Sequence, residues 1–155
     1  MNWILSRTSG TPFTITTSGT SLNAPGSTQT ADQVVENVKI LGGHGSGEPY
    51  FDPEAFAPVT AVRFGNAGRD TVRGPGLFNL DASVFRDFRA TERFTVQFRA
   101  EAFGLTNTPQ FGNPGATASS LSRNTDGSIN KLNGYDEITS ATGERQFRFA
   151  LRVSF

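Results

Sequence analysis

The 155-residue chain has no cysteine, one histidine, one methionine and one tryptophan. Without thiols, disulfide staples, thiolate metal sites and cysteine nucleophiles are excluded. Hydrophobic residues are scarce at 35%, while 17 glycines and 8 prolines interrupt the chain, so a compact helical domain is not expected. No stretch approaches the ~18 consecutive apolar residues of a membrane-spanning helix, which excludes a helical membrane protein. Met1 to Gly10 lack the charged start, apolar run and small-residue cleavage site of a signal peptide. The 14 acidic and 14 basic residues cancel, leaving no long-range field to gather nucleic acid.

What is present points to strands. Fourteen phenylalanines outnumber nine leucines, and serine and threonine together supply 31 residues, a mixture that favours β-strands joined by long polar loops. From Gln146 to Phe155 every odd position is large and apolar and every even one polar or small, an alternation of period two without a miss. Ten residues of strand reach roughly 33 Å, and tilted by ~45° they match the ~9–11 residues that cross a bilayer's hydrocarbon layer. Five such side chains removed from water contribute on the order of 8–15 kcal/mol. Left on a soluble surface they form an aggregation stripe.

The same alternation recurs upstream. Phe94, Val96, Phe98, Ala100 and Ala102 oppose Thr95, Gln97, Arg99 and Glu101, and Phe78, Leu80, Ala82 and Val84 oppose Asn79, Asp81 and Ser83. Asp87 to Arg93 reads as the turn of an antiparallel hairpin. A fourth strand, of poorer alternation, is expected from Trp3 through Pro12 to Thr16, with Pro12 near its exposed end because it lacks a ladder donor. The expected strands are therefore 2–16, 77–87, 93–105 and 146–155, separated by long irregular segments 17–76 and 106–145. Short and long connections alternate, as in outer-membrane barrels with short periplasmic turns and long outer loops. Within the first long segment, Ala31 to Leu41 fits a short helix or another strand equally well.

Several runs in this order resemble the C-terminal end of TonB-dependent outer-membrane receptors. They are Pro49-Tyr50-Phe51-Asp52-Pro53-Glu54-Ala55-Phe56, then Phe64-Gly65-Asn66-Ala67-Gly68-Arg69-Asp70-Thr71-Val72-Arg73-Gly74-Pro75-Gly76, then the strand-turn-strand from Phe78 to Phe103. Trp3, Ser9-Gly10-Thr11-Pro12-Phe13, Phe111-Gly112-Asn113-Pro114 and the final strand closing on Phe155 are similar too. The nearest group carries a carboxypeptidase-regulatory-like domain and an Oar-like barrel. The resemblance implies nutrient uptake across the outer membrane of a Gram-negative bacterium. It also implies a barrel-assembly signal in Phe147, Phe149, Leu151, Val153 and Phe155, read by the barrel assembly machinery. Family members have an energy-coupling segment, a plug and about 22 strands. A chain with about four is expected to be a C-terminal piece, through truncation, a split gene or an incomplete gene model, and not to transport alone. Its partners are then outer-membrane lipid, the missing strands and plug of the parent receptor, and the TonB complex only through the absent N-terminal part.

Elementary physics leads the same way. Four strands cannot close a barrel, and the two edges of unpaired amides would face lipid at several kcal/mol for each group. The fold class expected is all-β, an antiparallel open sheet that is part of a transmembrane β-barrel. The alternative is a soluble, secreted β-sandwich or adhesin-like binding module, which requires Phe147, Phe149, Leu151 and Val153 to pack against a second sheet.

Chemistry-bearing residues favour no enzyme and no cofactor. His44, in Gly42-Gly43-His44-Gly45-Ser46-Gly47, has no second histidine to form a metal site and is expected in a flexible loop. The glycine run lacks the Lys-Ser/Thr ending of a phosphate loop, and a nucleophile elbow at Ser46 would need glycine where His44 stands. Asn124 to Ser128 lacks the alternating oxygen ligands of a calcium loop and reads as a turn with glycine at positive φ. Arg69, Asp70 and Arg73 are expected to cap the barrel rim. Arg99, Glu101, Arg148 and Arg152 are expected to face the lumen, in salt bridges or along a substrate path. No nucleophile, base and orienting acid can be assembled from these residues.

Overall fold

A computed structural model describes residues 1–155. Its paired strands are antiparallel, three short 3-10 turns interrupt them, and no helix is long and apolar enough to cross a membrane. The chain divides into two compact units, one of Met1–Ser9, Gly76–Gln110 and Thr142–Phe155, the other of Gly10–Pro75 and Phe111–Ala141.

The first unit is a single four-stranded sheet in the order β1 (Asn2–Thr8), β2 (Leu77–Arg89), β3 (Thr95–Phe103), β4 (Gln146–Ser154). Its register follows the period-two pattern. Phe147, Phe149, Leu151 and Val153 of β4 face Ala102, Ala100, Phe98 and Val96 of β3, and Ala102 and Ala100 face Ala82 and Val84 of β2. Apolar side chains thereby share one face, because pairing in this register stacks equal parity on equal side. The hairpin between β2 and β3 is closed where the Phe94 carbonyl accepts the Ala90 N–H at 3.0 Å and Thr91 Oγ1 accepts the Phe94 N–H at 3.2 Å. β1 and β4 each have a free edge, so the sheet is open.

The first strand differs from expectation: it ends at Thr8, not near residue 16. Pro12–Phe13 pairs with Val72–Arg73, and Thr16–Ser18 pairs with Thr28–Thr30. Two causes stop the ladder, one local and one distant in sequence. Pro12 donates nothing, and at Gly10 the backbone comes so close to Gly74 that an added Cβ would lie 1.7 Å from its carbonyl oxygen. The other bounds move less, to 77–89, 95–103 and 146–154.

The larger difference lies in the long segments, which are not slack connections. The second unit has its own core, in which Ile15, Ala31, Phe51, Ala55, Phe56 and Tyr135 are at most 1% exposed. Phe51 is its centre, meeting Phe56 and Tyr135 edge-on at ring-centroid distances of 5.9 and 5.6 Å, and Phe13 at 6.4 Å. Edge-to-face packing sets the positive rim of one ring against the negative face of the next. Between Ala31 and Leu41 neither a helix nor a long strand forms: Asp32–Gln33 pairs with Phe56–Ala57, and the rest is irregular. The Gln33 side-chain amide donates to the carbonyls of Val35, at 2.9 Å, and Glu36, so it takes acceptors that a helix would use.

Candidate functional site

Two surfaces carry the functional residues, one in each unit. On β4, Phe147, Phe149, Leu151 and Val153 are 54, 70, 71 and 56% exposed, and Phe155 is 98% exposed. The second sheet that a soluble sandwich would need to cover them is absent. The same face continues across the sheet through Phe98 on β3, Val84 and Phe88 on β2, and Trp3 and Leu5 on β1, all of them exposed. Phe98 and Phe149 stack at 6.3 Å, and at the turn end Phe94 and Phe155 approach to 6.4 Å. Side chains of this size lose on the order of 1.5–3 kcal/mol each by remaining in water, so this face is built to be covered by an apolar medium.

Arg99, Glu101, Arg148 and Arg152 share the opposite face, since Arg148 pairs with Glu101, Arg152 with Gln97, and Ala150 with Arg99. Arg99 and Glu101 lie 3.8 Å apart in a half-exposed ion pair of the kind that contributes little by itself. The Arg148 guanidinium sits 4.9 Å from the centroid of Phe103. Asp81 ties the upper end together: its Oδ1 accepts from the Asn79 side-chain amide at 3.0 Å and from the Gly104 N–H at 2.9 Å. Gln97 donates to Asp87 at 2.8 Å.

In the second unit a buried acidic pair organises the backbone. Asp136 is 0% exposed and adopts a φ of 62°. Its Oδ1 accepts the N–H groups of Tyr50, at 3.1 Å, and Phe51, at 2.8 Å, while Oδ2 has no partner. Burial pushes its carboxyl up to about 7; the Phe51 and Tyr50 N–H groups oppose that shift, and Asp52 and Glu137 add to it. Burial, followed by the Asp136 charge, also holds the Tyr135 hydroxyl well above its ordinary range, and that hydroxyl is buried without a hydrogen bond. Glu137 accepts the Gly47 N–H through Oε1 and the Gly134 N–H through Oε2. The pair thus clamps the chain between residues 47 and 51 to the chain between 134 and 137.

Two exposed bidentate ion pairs fasten the same unit. Arg63 meets both Asp32 oxygens at 2.7 Å, and Arg123 meets the Glu54 oxygens at 2.7 and 2.6 Å. Hydrogen bonding from each arginine holds its partner's carboxyl below the usual carboxylate range. Beside the clamp lies an open groove of about 510 Å3, lined by Ser46, Gly47, Pro53, Lys131, Asn133 and Glu137, among others. It offers a mixture of backbone, amide, ammonium and carboxylate groups to a polar ligand.

Other sequence candidates fall elsewhere. His44 is exposed in an irregular loop, with its ring 4.4 Å from that of Phe111 and 6.5 Å from that of Tyr50. Asp70 exchanges hydrogen bonds with Thr14, its N–H donating to Oγ1 at 3.0 Å and its Oδ1 accepting at 3.2 Å. Arg73 donates to the Gly10 carbonyl at 3.3 Å. Asn124 to Ser128 is a turn, with Gly127 at a φ of 87° and Asp126 accepting the Ser128 N–H and hydroxyl. No three His, Asp or Glu side chains are grouped closely enough to hold a metal ion. Sequence reading missed Asp136 and Glu137. The local signal was Asn133-Gly134 before two acids: Asn133, Gly134 and Asp136 all take positive φ, as tight turning demands.

A family model described as an outer membrane beta barrel domain matches residues 1–148. Comparison with curated proteins and with solved structures returns no match.

Proposed function

The chain belongs to the outer membrane beta barrel domain family and is an outer-membrane β-barrel protein, and from that premise we propose that it supplies the closing strands and outer loops of a TonB-dependent receptor for nutrient uptake. The observation that carries the proposal is the two-faced open sheet, apolar from Trp3 to Phe149 on one side and lined by Arg99, Glu101, Arg148 and Arg152 on the other. One face suits lipid and the other a water-filled lumen. The finer assignment, to the Oar-like group of receptors, is supported by the ordered runs Pro49 to Phe56, Phe64 to Gly76 and Phe78 to Phe103.

In this reading the protein does no covalent chemistry. The terminal residues Phe147, Phe149, Leu151, Val153 and Phe155 present an alternating strand with a free edge to the barrel assembly machinery. The free edges of β1 and β4 pair with the remaining strands of the receptor, since unpaired amides in hydrocarbon are too costly to persist. The plug and the TonB complex engage through parts of the receptor outside this chain, which does not transport alone. The two long connections, folded into a body with its own core, form part of the outer vestibule that captures the nutrient.

The test is the DNA upstream of Met1. An in-frame continuation encoding a plug and further amphipathic strands is the expected finding. A stop codon preceded by an unrelated gene refutes the receptor reading.

A further inference from the structure

The apolar face of β2 runs Phe78, Leu80, Ala82, Val84, Arg86, Phe88, so one guanidinium stands inside a lipid-facing row. By register that face carries no carboxylate. The acids of the sheet strands, Asp81, Asp87 and Glu101, have the other parity. Arg86 takes part in none of the chain's three ion pairs, which join Arg63 to Asp32, Arg99 to Glu101 and Arg123 to Glu54. An uncompensated arginine on a barrel's lipid face is destabilising at any depth away from the headgroups. Its placement therefore asks for an anion supplied from outside the chain.

The geometry indicates where that anion lies. The Arg86 guanidinium is 5.2 Å from the centroid of Phe88, two residues nearer the short turn, so the side chain leans along the strand toward the sheet's turn end. Short turns mark the periplasmic side of such barrels, and a leaning arginine there brings its charge to the headgroup layer. The ring supports one face of the guanidinium and leaves its in-plane N–H donors free for a bidentate oxyanion. Phe88 and Arg86 are both exposed, across the ladder Arg86 pairs with Phe98, and no carboxylate, Glu92 of the turn included, forms an ion pair with Arg86.

We propose that Arg86, seated on Phe88, binds the phosphate of an anionic phospholipid headgroup in the periplasmic-side leaflet. The proposal rests on the membrane placement of the sheet and not on the transport reading. It is tested with the full chain refolded into vesicles of phosphatidylcholine alone or mixed with phosphatidylglycerol, at a chain density at which the free edges of β1 and β4 on neighbouring copies pair with one another, with insertion followed by Trp3 emission. Wild type is expected to favour the anionic vesicles, and R86Q to lose about five-fold of that preference, the effect of one basic side chain near an anionic surface. R148Q, on the opposite face, should keep it, and R86K should keep most of it. Phosphorus-31 dephasing of the Arg86 guanidinium nitrogens should be present in the anionic vesicles and weak in phosphatidylcholine. Insertion of R86Q with unchanged preference, or equal dephasing in both lipids, overturns the headgroup site alone. Failure of wild type to insert in either lipid overturns the site together with the membrane placement.

Discussion

Replacing Asp136 with Asn probes the buried clamp of the second unit. The wild-type carboxyl is raised from 3.8 to about 7 by burial, so between those values the folded state holds a proton that the unfolded chain has released. Stability therefore falls as pH rises through that window and levels off above about 7. At about 1.36 kcal/mol per unit, a shift of roughly three units amounts to about 4 kcal/mol lost between pH 4 and pH 8. Asn keeps an acceptor for the Tyr50 and Phe51 N–H groups and cannot ionise. Its NH2 group falls where Oδ2 has no partner, at a cost of about 1–3 kcal/mol. D136N should therefore fall about 1–3 kcal/mol below wild type near pH 4 and exceed it by about 1–3 kcal/mol at pH 8. The readout is hydrogen exchange of the Tyr50 and Phe51 amides between pH 5 and 8, corrected for base catalysis of exchange itself. A pH slope that persists in D136N, or its absence in wild type, refutes the reasoning.

Other substitutions test the two units separately. Tyr135→Phe deletes a buried hydroxyl that has no hydrogen bond and should raise the thermal stability of the second unit by about 1 kcal/mol. Phe51→Ala removes the fully buried centre of the aromatic cluster and should cost about 3–5 kcal/mol, seen as protease cleavage between residues 17 and 76 under conditions that leave wild type intact. Phe149→Arg places a charge in the apolar band of β4 and should weaken insertion into neutral vesicles by about 2–4 kcal/mol. Ala150→Arg, on the polar face, should insert nearly as wild type does, both variants being compared by flotation with the neutral vesicles.

The sheet was legible because it is governed by local physics. A strand's faces alternate with period two, so the runs at 78–84, 94–103 and 146–155 declare both their structure and their sidedness without knowledge of partners. Resemblance added the membrane, and the family match over residues 1–148 bears that out. Strand ends were less legible, because what stops β1 at Thr8 is the close approach of Gly10 to Gly74, a contact across 64 residues of sequence.

The second unit was illegible for the same kind of reason. Its core collects Ile15, Ala31, Phe51, Phe56 and Tyr135 from positions with no shared period, and in a Gly-, Ser- and Thr-rich background each passes for an isolated loop residue. Asp136 is indistinguishable in sequence from a solvated turn acid, and only tertiary folding removes it from water and aims it at Tyr50 and Phe51. Arg86 is the intermediate case. Its parity on β2 can be counted from the sequence, but its lean over Phe88 and the lack of any acid on its face depend on how the strands register. Alternation along one strand is a short-range property of the backbone, whereas burial and charge pairing are set by residues far away in the chain, and those only the folded structure brings together.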